Sequence, residues 1–166
     1  MKYAIVYSSR TGNTRLLAET IKKTLPAEDC LYYGEPDPAA LEADRIYAGF
    51  WTDRGTCDAA SGAFLKTLTE QELFLFGTAG FGGEQAYFSK VLERTEQNIG
   101  KNVCFIGSFM CQGKMPMSVR ERYVKMLESG ADMPNLRGMI ENFDRALTHP
   151  DKDDLENLKK AVQELA

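Results

Sequence analysis

"YAIVYSSRTGNTRLLAETI", Tyr3 to Ile21, is the stretch on which the fold turns. Tyr3–Tyr7 is an unbroken apolar run, as expected of a parallel strand covered on both faces. Leu17, Ile21 and Leu25 then recur at helical spacing, and Pro26 stops that helix. Between strand and helix lies Ser8–Thr14, with hydroxyls at Ser8, Ser9, Thr11 and Thr14 and a glycine at Gly12 that lets the chain turn tightly. Exposed amides and the dipole at such a helix start favour an anion. The G-x-x-x-x-G-K-[ST] pattern is missing, which argues against a triphosphate with magnesium. G-x-G-x-x-G is missing too, which argues against a dinucleotide. A terminal monophosphate remains, beside the plainer alternative of a capped helix start.

The same alternation continues along the chain. "CLYYG" reads as a second strand, "RIYAGFW" as a third, "LFLFG" as a fourth, and "VCFIG", extended to Met110, as a fifth. One intervening helix is capped by Asp58 and carries Phe64, Leu65 and Leu68; the next carries Tyr87, Phe88, Val91 and Leu92. Three helical patterns follow the fifth strand. The first starts at Ser118, where Ser118 and Glu121 have capping-box spacing. The second has Leu136, Met139, Ile140, Phe143 and Leu147 on one face, and the third Leu155, Leu158, Val162 and Leu165. Strands alternating with helices predict an α/β fold, a parallel sheet with helices on both sides. The expected organisation is one domain over 1–166, with the core in 1–114, an additional helical segment in 115–148 and a C-terminal helix in 149–166.

The composition excludes several classes of function. A net charge of −4 without any basic run argues against nucleic acid. Four cysteines lack C-x-x-C spacing and face a single histidine, so reduced thiols and no metal site are expected. The N-terminal apolar run is too short for a signal peptide or a spanning helix, and the expected location is cytoplasmic, without membrane contact. His149 is assigned a surface or capping role rather than catalysis. Cys57 and Cys111 are read as inert thiols. Met110, Met115, Met117 and Met126 either fill packing gaps or make an adaptable docking surface.

In an open parallel sheet, ligands bind beyond the carboxyl ends of the strands, where strand order reverses. Three loops leave those ends here: Ser8–Thr14, Trp51–Asp58 and Thr78–Gly83. "VYSSRTGNT" resembles the phosphate loop of flavodoxins, a strand followed by [ST]-x-T-G-N-T, with Ser9, Thr11, Gly12, Asn13 and Thr14 at the matching positions. (Flavodoxins are themselves a standard example of that rule about strand order.) "GFWTDRG" and the C-Q-G-K run Cys111–Lys114 are similar to a less familiar flavodoxin-like subgroup with G-F-W-x-D-x-G.

This resemblance implies a flavodoxin-like three-layer sandwich, with a five-stranded parallel sheet in the order 2-1-3-4-5 and extra C-terminal helices. It implies FMN as cofactor. The ribityl phosphate would lie among Ser8, Ser9, Arg10, Thr11, Gly12, Asn13 and Thr14. The ring would lie among Trp51, Thr52, Asp53, Gly55, Thr78, Ala79, Gly80, Phe81 and Gly82. Arg10 faces solvent, phosphate or an acidic partner. Trp51 either stacks on the ring or packs at the strand end, and Phe81 is the candidate second wall, ahead of Tyr87. In flavodoxins a flexible peptide in the second loop turns its carbonyl toward the half-reduced ring, and Gly55 is the candidate for it. Asp53 and Asp58 would lower the potential and Arg54 would raise it. The activity implied is that of a low-potential electron carrier between a reductase and a terminal acceptor enzyme. The partners implied are flavin or iron–sulfur reductases, including the bilirubin reductase of gut bacteria. An NAD(P)H-dependent FMN or quinone reductase, and a non-redox binding module on the same fold, are the alternatives.

Overall fold

A computed structural model describes residues 1–82, 84–131 and 134–165. Gly83, the last residue of the third expected loop, lies outside the described residues. The strands are β1 (Tyr3–Tyr7), β2 (Cys30–Gly34), β3 (Arg45–Asp53), β4 (Thr56–Cys57), β5 (Glu72–Ala79) and β6 (Cys104–Gln112). Five of them run parallel in the order β2-β1-β3-β5-β6. Consecutive β1 residues alternate between two cores: Tyr3 and Ile5 enter one, Ala4 and Val6 the other. Both sets are buried, which is why the run reads as continuously apolar.

Helices cover both faces. Leu17 and Ile21 of α1 (Asn13–Thr24) and Leu158 and Val162 of α6 (Lys152–Gln163) seal the first core. On the other face lie Phe64 and Leu65 of α2 (Ala59–Leu65) and Val91 of α3 (Gln85–Glu96). Two more helices, α4 (Met117–Glu128) and α5 (Leu136–Ala146), fall between β6 and α6 in the chain. Among the described residues, no helix is long and apolar enough to cross a membrane.

The sheet has six strands, not the five expected. After β3 the chain doubles back, so that Thr52 pairs with Cys57 and Asp53 with Thr56, antiparallel. The two linking residues, Arg54 and Gly55, have φ of 54° and 85°. Positive φ at both positions is what a type I′ hairpin turn needs. Asn-Gly or Asp-Gly would have announced it; Arg-Gly hides it. The added strand renumbers the order expected as 2-1-3-4-5.

A second expectation also changes. α4 begins at Met117 behind Pro116, with no side-chain cap, so the Ser118–Glu121 box does not form. The box that does form is on α6. Asp154 N–H donates to Asp151 Oδ1 at 2.9 Å and Asp151 N–H to Asp154 Oδ2 at 2.8 Å. His149 Nδ1 lies 2.7 Å from that same Asp154 oxygen, a capping role as read from the sequence.

β1 is flanked by β2 and β3, so the chain crosses over it between those two strands. The crevice should therefore open beyond the carboxyl ends of β1 and β3.

Candidate functional site

A cavity of about 560 Å³ opens at that place. Its first wall is the β1–α1 turn. Gly12 is the N-cap residue and supplies no side chain, so the amides at the helix start look outward. Ser9 reaches back instead: its Oγ accepts from Gly12 N–H at 3.1 Å and from Arg15 N–H at 3.3 Å. Those bonds engage the lone pairs of the oxygen and leave its proton to donate. The N–H groups of Thr11, Asn13 and Thr14 have no acceptor among the described residues, and neither has the Thr11 hydroxyl. Such a set of donors matches an anion with several oxygens.

Two hydroxyls of the first two expected loops do something else. Thr14, 1% exposed, donates to the Phe50 carbonyl at 3.0 Å and meets Thr78 Oγ1 at 3.1 Å. Thr52 Oγ1 donates to the Thr78 carbonyl at 2.8 Å. These hydroxyls tie the ends of β3 and β5 to α1, and only their backbone remains for a ligand. Asn13 Nδ2 donates to the Lys114 carbonyl at 2.8 Å. A β-carbon at Gly113 would lie 2.5 Å from that same nitrogen, so glycine is needed for the approach. Lys114, from the far end of the core, thereby stands beside the turn. It lines both the crevice and the shallow depression over Thr11, Gly12 and Asn13.

The second wall is the β3–β4 hairpin with Trp51, Thr52, Asp53, Arg54 and Gly55. Arg10 does not simply face solvent: its guanidinium carbon lies 5.4 Å from the Trp51 ring centroid, joining the first two loops. Arg94 donates to the Gly55 carbonyl at 3.1 Å. Asp58 does not line the crevice. It is 3% exposed; its carboxylate accepts from Trp51 N–H at 3.2 Å, Ser61 Oγ at 2.8 Å and Ser61 N–H at 3.2 Å, and it fastens the hairpin to α2. Asp53 is left as the one acidic lining residue of the expected pair.

Gly80, Phe81 and Tyr87 form the third wall. Burial raises the Tyr87 phenol above its ordinary range, so it stays a neutral donor. The Gly80 carbonyl is held from behind by Gln112 Nε2 at 3.1 Å and Asn142 Nδ2 at 2.9 Å, and Gln112 also donates to Asn142 Oδ1 at 2.9 Å. Gln112 of the C-Q-G-K run thus fixes the third loop, using a residue from α5.

A fourth wall was not legible in the sequence. Met115, Pro116, Ser118, Val119, Arg122 and Tyr123 also line the cavity. Their segment is anchored by the buried Leu136, Phe143 and Ala146 of α5 and by an Arg120–Asp144 ion pair at 2.8 Å. The methionine cluster was the available signal, and only Met115 of its members lines the cavity.

Of the expected ligands, Arg10, Thr11, Asn13, Trp51, Thr52, Asp53, Gly55, Thr78, Gly80 and Phe81 line the crevice. Ser8, Ser9, Gly12, Thr14, Ala79 and Gly82 are not among its lining residues, although Gly12 lines the adjoining depression. Cys57 and Cys111 are buried, and burial pushes both thiols up, which makes them poor nucleophiles.

A family model described as a flavodoxin domain matches residues 4–163. The chain belongs to the flavodoxin family. A flavodoxin-like domain-containing protein BilS of Clostridium symbiosum is 43% identical, over 93% of this chain and 90% of its own length. The BilS of Clostridioides difficile is 31% identical over the same shares. Among solved structures, oxidised flavodoxin 2 from Bacillus cereus covers both chains fully, with a TM-score of 0.59 at 16% identity, a likeness of fold. The flavodoxin sheet, with α1 opening at the crevice, accounts for the placement of all three loops.

Proposed function

We propose that this flavodoxin binds FMN and carries electrons between a reductase and a terminal acceptor enzyme. The observation that carries the reading is the set of unengaged amides and hydroxyls at the start of α1, which opens onto a crevice walled by Trp51, Phe81 and Tyr87. The donors fit a phosphate, and the aromatic walls fit a flat, mostly apolar ring. Thr11, Asn13 and Thr14 N–H and the Ser9 and Thr11 hydroxyls would hold the phosphate, and Gly80 offers backbone to the polar edge of the ring. When bound, the flavin supplies the redox chemistry; the protein orients it, excludes water and sets the charge around it. The partners we propose are flavin or iron–sulfur reductases, a bilirubin reductase among them, on the strength of the BilS similarity.

Lys114 is assigned the role of the ammonium that the first loop lacks. It makes no ion pair among the described residues. Lys114→Gln is expected to weaken FMN about tenfold, roughly 1.4 kcal/mol, and to leave riboflavin, which has no phosphate, unchanged. Equal losses for both ligands, by fluorescence titration, would remove that assignment.

The test of the function is a relay assay. FMN-loaded protein, reduced chemically, should pass electrons to cytochrome c, yet show no sustained NADPH oxidation by itself with a quinone present. Sustained oxidation would instead establish a reductase.

A further inference from the structure

In a chain of net charge −4, the mouth of the crevice carries the opposite sign. Among the described residues its charged lining is Arg10, Arg54, Lys114 and Arg122 against a single carboxylate, Asp53. Arg94 adjoins the same hairpin through its bond to the Gly55 carbonyl. An adjoining open depression on α4 adds Lys125 next to Arg122, with Glu121 its acidic member among the described residues. The Arg54–Asp53 pair is loose, 4.0 Å apart with the Arg54 side chain 95% exposed, so it neutralises little. Two large apolar side chains accompany these cations: Phe81, a lining residue 38% exposed, and Met117, 55% exposed and in sequence between the lining residues Pro116 and Ser118.

A phosphate in the first loop offsets Arg10 and Lys114. Arg54, Arg94, Arg122 and Lys125 are left facing solution. An approaching surface senses the charges within about a Debye length, roughly 8 Å at physiological salt, and not the net charge of the chain. The acidic remainder of the molecule repels an acidic partner while this face attracts it, which orients the encounter.

We propose that the rim running from the β3–β4 hairpin across Phe81 to α4 is a docking face for an acidic protein partner, with Phe81 and Met117 as its apolar contacts. The electron route through this face rests on the flavin reading; the charge pattern does not.

The first arm of the test needs no flavin. In ¹⁵N spectra of the flavin-free protein at low salt, poly-L-glutamate should perturb amides in Thr52–Gly55, Gly80–Phe81 and Met115–Lys125. The effect should vanish at about 0.5 M salt. The double variant Arg54→Glu, Arg122→Glu should lose at least about tenfold in affinity for poly-L-glutamate, with the rest of its spectrum unchanged. The second arm uses FMN-loaded, reduced protein and ferricyanide, a trianion that takes one electron per ion. Its rate should fall about threefold or more between about 10 mM and about 0.2 M ionic strength, whereas the net charge, −4 for the chain and more negative with the FMN phosphate, predicts a rise. Perturbations mapping away from the rim, or ferricyanide accelerated by salt, would overturn the docking face. Failure to bind FMN would sink the proposed function and leave the first arm standing.

Discussion

Asn142→Ala is expected to lower the unfolding free energy by about 2–3 kcal/mol and to weaken FMN binding by about tenfold or more. Asn142 is 7% exposed, and its amide makes two bonds at once: Nδ2 to the Gly80 carbonyl at 2.9 Å, and Oδ1 from Gln112 at 2.9 Å. Truncation deletes both, each worth about 1 kcal/mol net, and strands a Gln112 N–H in a buried place. Gly80 then keeps only the 3.1 Å bond from Gln112, and the third loop slackens where it faces the crevice. Urea unfolding and an FMN titration read the two effects together. Asn142→Asp separates bonding from bulk. Its carboxyl can donate to the Gly80 carbonyl only when protonated, and burial raises its pKa above about 3.9. The acid's contribution is therefore full below that value and is lost as pH rises through the raised one. The exposed Asn102→Ala is the control, expected within about 0.5 kcal/mol of the parent. If Asn142→Ala behaves like that control in both assays, the clamp has no part in holding the site.

The second large effect is on the ligand. Trp51→Ala is expected to weaken FMN by about tenfold to a hundredfold, or roughly 1.4–2.7 kcal/mol, with Trp51→Phe between it and the parent. Trp51 lines the crevice at the end of β3, half-buried, with Arg10 over its ring at 5.4 Å. Its backbone is held by Asp58 on both sides: the carboxylate accepts from Trp51 N–H at 3.2 Å, and Asp58 N–H donates to Trp51 O at 3.0 Å. The substitution therefore removes the ring without freeing the hairpin. As the chain has one tryptophan, its fluorescence reports this position alone, and FMN should quench it. An unquenched emission in the parent and an unchanged FMN affinity in Trp51→Ala would place the ring in packing rather than in binding.

Local pattern made the layers legible. Tyr3–Tyr7 announces a strand buried on both faces because each face meets a separate core. Asp58 announced a helix start, and its carboxylate does accept from Ser61 N–H. Signals failed where an uncommon residue does a familiar job. Arg54 adopts a left-handed backbone normally left to asparagine or glycine, so the hairpin and its sixth strand were missed. Asp151 and Asp154 make a capping box without its usual serine and glutamate. The fourth wall and the clamp on Gly80 were out of reach for a different reason. They join residues 80, 112 and 142, and nothing in local spacing says that α5 returns to the third loop. The first loop was legible as a glycine turn that opens a helix, and its Thr11, Asn13 and Thr14 amides are unengaged among the described residues. That Thr14 spends its hydroxyl on Phe50, and that Lys114 arrives beside Thr11 and Asn13, only the assembled fold reveals.

The measurement that tests the central claim most directly is a paired titration of the flavin-free protein with FMN and with riboflavin. They share the ring, so their difference isolates the phosphate, held by the cradle at the start of α1 together with Lys114. Two or more charge-assisted bonds at about 1.5–3 kcal/mol each predict that FMN binds at least about a hundredfold more tightly. Equal affinities would mean that neither those amides nor Lys114 holds a phosphate, and would contradict the account.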